Sequence, residues 1–214
     1  MENLITAQEV SDYLPDLDLS SFSAPTISGM ISRASQYVIG YCEVDGFLKT
    51  AVTSEREKTR INPEGDLIVS FRRRPVEQGA VSALRLKTVE SAIDLSLTGS
   101  SGSDIYYIPT GGAYMVYPSN FLIALGYGLL SVRYANTRYE VDYTGGYDAI
   151  PADIKEATSL IFRNMATRKI MPGGATSFRQ GNFSVSVSND GVSPLIKEAQ
   201  EILNQGGYVR RVIF

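Results

Sequence analysis

The chain of 214 residues has no histidine, no tryptophan and a single cysteine, Cys42. Each absence removes a class of function. Without histidine there is no Ser-His or Cys-His nucleophile pair and no imidazole-ligated metal. No P-loop, G-x-G-x-x-G or G-x-S-x-G pattern occurs either. Asp142 and Asp148 remain as a formal carboxylate pair, but a turn rich in Gly and Asp needs no catalytic explanation. No enzyme activity, cofactor or metal is therefore expected. Lack of Trp weakens any sugar-stacking platform. One cysteine forms no internal disulfide, and Cys42 lies in an apolar helical pattern, where a thiol acts as a small hydrophobe. No apolar run approaches the roughly 20 residues of a membrane span. Met1 leads into a polar, acidic start, so no secretory signal is expected and the product is expected to be made in the cytoplasm. Basic charge is not in excess: 20 Lys and Arg stand against 23 Asp and Glu, a net charge of -3. That balance argues against a general nucleic-acid binder, which normally shows a dominant basic face.

What is present suits one globular unit or two closely joined subdomains, with 43% hydrophobic and 20% charged residues. Thr6-Ala7-Gln8-Glu9 reads as a capping box, with Ile5 and Val10 in the positions of a hydrophobic staple. The short helix it opens ends at Pro15. After a polar turn region, Pro25 restarts a helix in which Ile27, Met30, Ile31, Ala34, Tyr37, Val38, Tyr41 and Cys42 recur every three or four positions, a stripe for packing. Glu55-Arg56-Glu57-Lys58 is mixed in sign and reads as a solvated face or an intersubunit salt-bridge edge.

From Leu67 the pattern changes to short strands separated by turn residues, which indicates antiparallel sheet. The expected strands are Leu67 to Phe71, Val81 to Lys87, Ile105 to Ile108, Ala113 to Tyr117, Phe121 to Leu125, Leu129 to Tyr134 and Arg138 to Tyr143. Thr110-Gly111-Gly112 reads as a hairpin tip. Arg72, Arg73 and Arg74 suit carboxylates of a neighbouring subunit better than phosphate, and are expected at a subunit interface.

Beyond Pro151 a helix carries Ile154, Ala157, Ile161 and Met165 on one side and stops at Met171-Pro172-Gly173-Gly174. Phe183, Val185 and Val187 alternate with serines; this segment is expected to form a hairpin or add a strand to a neighbour's sheet edge, a second subunit contact. Ser193-Pro194 is expected to cap a last helix with Leu195, Ile196, Ala199, Ile202 and Leu203, ended by Gly206-Gly207. The tail Tyr208, Val209, Arg210, Arg211, Val212, Ile213 and Phe214 is apolar and basic where chain ends are usually polar. It reads as a docking anchor, or as a segment that packs back on its own domain.

One stretch joins the two halves of this pattern. In Val141 to Ala157, VDYTGGYDAIPADIKEA, strand alternation breaks at Gly145-Gly146 and Pro151 opens a helix with Asp153 near its positive start. Val141, Tyr143, Thr144, Gly146, Tyr147, Ile150, Pro151, Asp153, Ile154, Lys155 and Ala157 match the V-x-Y-T-x-G-Y to I-P-x-D-I-K-x-A junction of phage head-tail connector (adaptor) proteins. The chain resembles that family in this motif and, more loosely, in layout. The resemblance implies an α+β fold, a helical bundle formed by both chain ends with an inserted antiparallel β subdomain. The corresponding division is 1–62 helical, 63–148 inserted β subdomain, 149–205 C-terminal helices with their loop, and 206–214 docking tail.

The resemblance further implies a structural protein of the virion neck. It would form a ring of copies of itself, a dodecamer, below the portal protein and bind the portal through residues 208 to 214. The ring would join the capsid to a downstream neck, stopper or tail protein and line a channel for double-stranded DNA without sequence-specific binding or any membrane contact. A near-neutral or acidic lumen suits sliding DNA. The alternative is a β-rich tail or receptor- or ligand-binding module of a virion.

Overall fold

A computed structural model describes residues 2–58, 60–61, 67–77, 79–87, 92–95, 106–107, 114–117, 138–170, 177–180, 183–186 and 193–209. The fold is α+β, with helices at both chain ends and antiparallel sheet between them. It divides into two compact units. One combines Met1–Val44 with Ile150–Arg210, and the other is built on Asp45–Ala149.

In the first unit, helix α1 (Ala7–Tyr13) starts with the expected capping box: Thr6 Oγ1 accepts from Glu9 N–H and the Glu9 carboxylate accepts from Thr6 N–H at 2.8 Å. Ile5 and Val10 are both buried, as a staple requires. Helix α2 (Ala24–Cys42) opens with Pro25 in its first turn and ends on Glu43 in the left-handed region, φ 53°. Its apolar stripe is inside: Met30, Ile31, Ala34, Val38 and Cys42 are all buried.

Helix α3 (Ala152–Ile170) packs against α1, α2 and helix α4 (Pro194–Gln205). It is buried on more than the single expected side, for Phe162, Ala166, Thr158, Ser159, Asn164 and Thr167 are interior as well as Ile154, Ala157 and Ile161. Met165, expected inside, is only half-buried. Thr158 and Ser159 tolerate burial because each hydroxyl donates to a carbonyl of the preceding turn, of Ile154 at 2.6 Å and of Glu156 at 2.7 Å. Pro151 stands one residue before this helix, and its carbonyl accepts from Lys155 N–H at 3.2 Å. Ser193 occupies the N-cap of α4 but its hydroxyl makes no capping bond; the carbonyl does that work, accepting from Ile196 and Lys197. Between α3 and α4, β9 (Ser177–Gln180) and β10 (Phe183–Ser186) form an antiparallel pair.

Among the described residues the second unit holds two four-stranded sheets. The first has the order β1 (Thr50–Lys58), β8 (Arg138–Gly145), β4 (Val81–Lys87), β5 (Ala92–Leu95), and the second β2 (Arg60–Ile61), β3 (Leu67–Ser70), β7 (Tyr114–Tyr117), β6 (Tyr106–Tyr107). All pairings are antiparallel. Leu67, Val69, Phe71, Val76, Val81, Leu84, Leu86, Leu95, Tyr139, Val141 and Tyr143 make one shared core. Strands at Val81 to Lys87 and from Arg138 match expectation, and those near Leu67, Tyr106 and Tyr114 match more briefly. Glu55 to Lys58, read as a solvated face or an intersubunit salt-bridge edge, is the end of β1: Arg56 and Lys58 are exposed as a solvated face requires, and the correction falls on Glu55, which points inward at 8% exposure. Phe121 to Leu125, Leu129 to Tyr134 and Thr110 to Gly112 lie outside the described residues.

Candidate functional site

The strand-to-helix junction is built on backbone contacts that only glycine permits. At Gly145 a Cβ would lie 2.4 Å from the Arg73 carbonyl oxygen. At Gly146, where φ is 111°, it would lie 2.5 Å from the Leu48 oxygen. Three chain segments meet here. Gly146 N–H donates to the Pro75 carbonyl at 2.9 Å, Tyr147 N–H to Phe47 at 2.7 Å, and Lys49 N–H to Tyr147 at 2.8 Å. Leu48 and Tyr147 thus form an isolated parallel bridge, and Lys49 Nζ lies 3.5 Å from the Asp148 carboxylate at the surface.

Strand β8 divides its side chains between two jobs. Its inward tyrosines cross the core by their hydroxyls. Tyr139 Oη donates to the Ser70 carbonyl at 3.0 Å and accepts from Ser70 N–H at 2.9 Å, tying β8 to β3. Tyr143 Oη donates to Glu55 Oε2 at 2.5 Å and accepts from Arg73 N–H at 2.9 Å, while its ring packs on Phe71 with centroids 4.8 Å apart. Burial pushes the Tyr139 phenol up to about 12. Burial, then the adjacent Glu55 charge, holds Tyr143 far above the ordinary phenol range. Burial likewise raises Glu55, against the lowering effect of the bonds from Tyr143 and from Arg72 N–H. A carboxylate sealed in this way is a structural strut with a cost at neutral pH.

The outward residues of β8 carry charge, and the strand register aligns them in rows. Arg56 on β1 is opposite Glu140, Glu140 is opposite Arg85 on β4, and Arg85 is opposite Asp94 on β5. Their contacts follow the row: Arg56 to Glu140 at 2.8 Å, Arg85 to Glu140 at 3.1 Å and Arg85 to Asp94 at 3.2 Å. The bond from Arg56 leads the forces that hold the Glu140 carboxyl below the usual range. Asp142 is lowered chiefly by Ser54 N–H, which donates to it at 2.6 Å from a bulge in β1 where Ser54 has φ 56°. One row further on, Lys58, Arg138 and Lys87 stand opposite one another on β1, β8 and β4, all of one sign.

Of the three arginines expected at a subunit interface, Arg72 and Arg73 have partners within their own unit. Arg72 Nε donates to Glu57 at 2.7 Å, and the Arg73 guanidinium donates to the carbonyls of Leu48 and Asp45 at 2.5 and 3.1 Å. Arg74 is 5% exposed. Phe183 and Val185 lie on β10 of the hairpin, opposite Gln180 and Phe178, and Val187 is outside the described residues.

At the other candidate site, α4 ends in a Schellman motif: Gly207 at φ 72° donates to the Asn204 carbonyl and Tyr208 N–H to the Leu203 carbonyl at 3.0 Å. The Tyr208 ring lies over Gly206, where a Cβ would come 2.2 Å from it, and its hydroxyl donates to Asp153 at 3.2 Å. Tyr208 therefore packs back on its own unit, and Val209 is half-buried; Arg210 to Phe214 lie outside the described residues. Sequence reasoning missed Glu55 and the cation row. No local pattern signals either, because Glu55 depends on Tyr143 and the cation row on the register of three strands.

Among the described residues no group of acidic or cysteine side chains is placed to hold a metal ion, and no helix is long and apolar enough to cross a membrane. No family model matches the chain, and no curated protein matches it. It is similar to solved structures of gene transfer agent (GTA) particles. One is the neck of an empty GTA particle with C6 symmetry, at 14% identity and TM-score 0.43, covering 98% of this chain and 92% of that one. A second is the neck of a native GTA particle with C12 symmetry, at 16% identity and TM-score 0.42, covering 100% and 97%. A third is the virion of a native GTA particle, at 15% identity and TM-score 0.42, covering 99% and 96%.

Proposed function

We propose that the protein is a non-enzymatic head-tail connector of the adaptor type, a ring-forming structural component of a virion neck that joins the portal to the next neck or tail protein. The observation that carries this reading is the junction from Val141 to Ala157. Its strand, Gly146 and helix start match the connector pattern in sequence, and Gly146, at φ 111°, is required by a backbone contact at 2.5 Å. The same junction leads from a β unit into a helical unit made of both chain ends, which is the layout expected of an adaptor. Copies meet side by side, with the β9–β10 hairpin as the contact of this chain best suited to a neighbour's sheet edge, since a lone two-stranded pair is marginal in water. Arg72, Arg73 and Arg74 serve the ring indirectly, by stiffening the β unit. The tail from Arg210 onward docks on the portal.

The test is co-sedimentation with the portal ring from the same source, comparing the full chain with one ending at Val209. That end point keeps the Tyr208 contacts with Asp153 and Gly206. Binding by the full chain and none by the truncated one is expected. Equal binding removes the tail from the reading, and no binding by either moves weight to a tail or receptor-binding module.

A further inference from the structure

We propose that the row Lys58, Arg138 and Lys87 is a contact for the phosphate backbone of duplex DNA. The three residues are direct register partners on adjacent strands β1, β8 and β4, and each is two positions from a member of the Arg56, Glu140 and Arg85 row, so they share its outward face. Adjacent rows on one face thus differ sharply. The inner row alternates in sign at every strand and closes in ion pairs. The outer row has one sign throughout. Like charges directly opposite one another weaken a sheet, and among the described residues they are answered only in part: Lys87 reaches Glu140 diagonally at 3.6 Å, while Lys58 and Arg138 are exposed and have no ion pair. Ala92, opposite Lys87 on β5, adds no charge to the row.

A polyanion supplies what the row lacks. At strand spacings of about 4.8 Å the three cations span about 10 Å, within reach of successive phosphates along one strand. The large side chains around them on this face, Arg56, Arg85, Glu140 and Asp142, are charged, whereas the centre of a protein interface is depleted of charge and carries apolar anchors. The face therefore suits a hydrated phosphate backbone better than a protein surface. The net charge of -3 does not oppose this, because charges beyond about 10 Å are screened at 0.1 M salt. The inference rests on the connector reading only for the presence of DNA.

The experiment measures binding of the full chain to a short fluorescent duplex as salt is raised from 50 to 200 mM. Three phosphate contacts predict a loss of affinity of about 40-fold over that range, and the Lys58→Gln, Arg138→Gln double variant, with one contact left, predicts about 3-fold. The variant is expected to bind at least tenfold more weakly at 50 mM and to melt no lower than the parent, since it removes like-charge opposition. No binding by the parent at 50 mM, or equal binding by the variant, overturns the proposal. Equal displacement of the duplex by polyglutamate at matched charge also overturns it, in favour of an acidic protein segment. Portal co-sedimentation is read without DNA, so failure of the connector reading is seen separately.

Discussion

Replacing Tyr143 with Phe removes one oxygen and leaves the ring on Phe71, so it isolates the hydroxyl that seals Glu55. That hydroxyl donates to the Glu55 carboxylate at 2.5 Å and accepts from Arg73 N–H at 2.9 Å. A hydrogen bond to a charged group contributes about 1.5–3 kcal/mol, and a part-buried N–H left unpaired adds about 1 kcal/mol, so the β unit loses about 3 kcal/mol at pH 7. The loss also depends on pH in a defined direction. Burial raises Glu55 above its ordinary value of 4.5, so the folded chain holds this proton more tightly than the unfolded one. Its favourable contribution is complete below pH 4.5 and is lost as pH rises through the raised folded value. Tyr143 lowers that value, so Tyr143→Phe raises it further and widens the deficit from pH 4.5 upward. Glu140 and Asp142, held low by their own partners, titrate alike in both proteins and cancel in the difference. Urea unfolding followed by far-UV circular dichroism at pH 7 and at pH 4.5 gives both numbers. A deficit under about 1 kcal/mol at pH 7, or one of the same size at both pH values, refutes the account of Glu55 as a buried, hydroxyl-sealed carboxylate.

Four further outcomes are expected. Gly146→Ala places a Cβ 2.5 Å from the Leu48 oxygen at φ 111° and is expected to cost about 3 kcal/mol in urea unfolding; a neutral result would show that the junction yields. Gly29→Ala and Gly40→Ala, where an added Cβ meets nothing within 4 Å inside α2, are each expected to add about 0.5–1 kcal/mol by the same measurement. Thr6→Ala removes half of the α1 capping box and is expected to cost about 1 kcal/mol. Ile161→Asp puts a charge at a site 1% exposed in α3 and is expected to leave no cooperatively melting protein; a soluble variant with a sharp melt would contradict the packing of that helix.

What the sequence made legible is what depends on neighbours in the chain. The capping box at Thr6 and Glu9, the stripe of α2 and the alternation of β8 all write their structure within a few residues. Strand β1 does not. Its inward residue near the end is Glu55, and the partner that allows a carboxylate there, Tyr143, stands 88 residues away. A pattern of Thr, Ser, Glu, Arg and Lys carries no apolar alternation, so the segment reads as surface until β8 is set beside it. The second face of α3 was hidden for a related reason: Thr158 and Ser159 look polar in sequence, and satisfy themselves on the preceding turn. The same logic applies to charge. Arg72-Arg73-Arg74 is the conspicuous basic run, yet Glu57, Asp45 and Leu48 take up Arg72 and Arg73, and Arg74 is buried. Lys58, Lys87 and Arg138 are scattered singly along the chain, and only antiparallel register brings them side by side. A cluster that exists in space alone, at a cost to the sheet that forms it, is better evidence of an external anion than a run in which the fold already takes up Arg72 and Arg73 and buries Arg74.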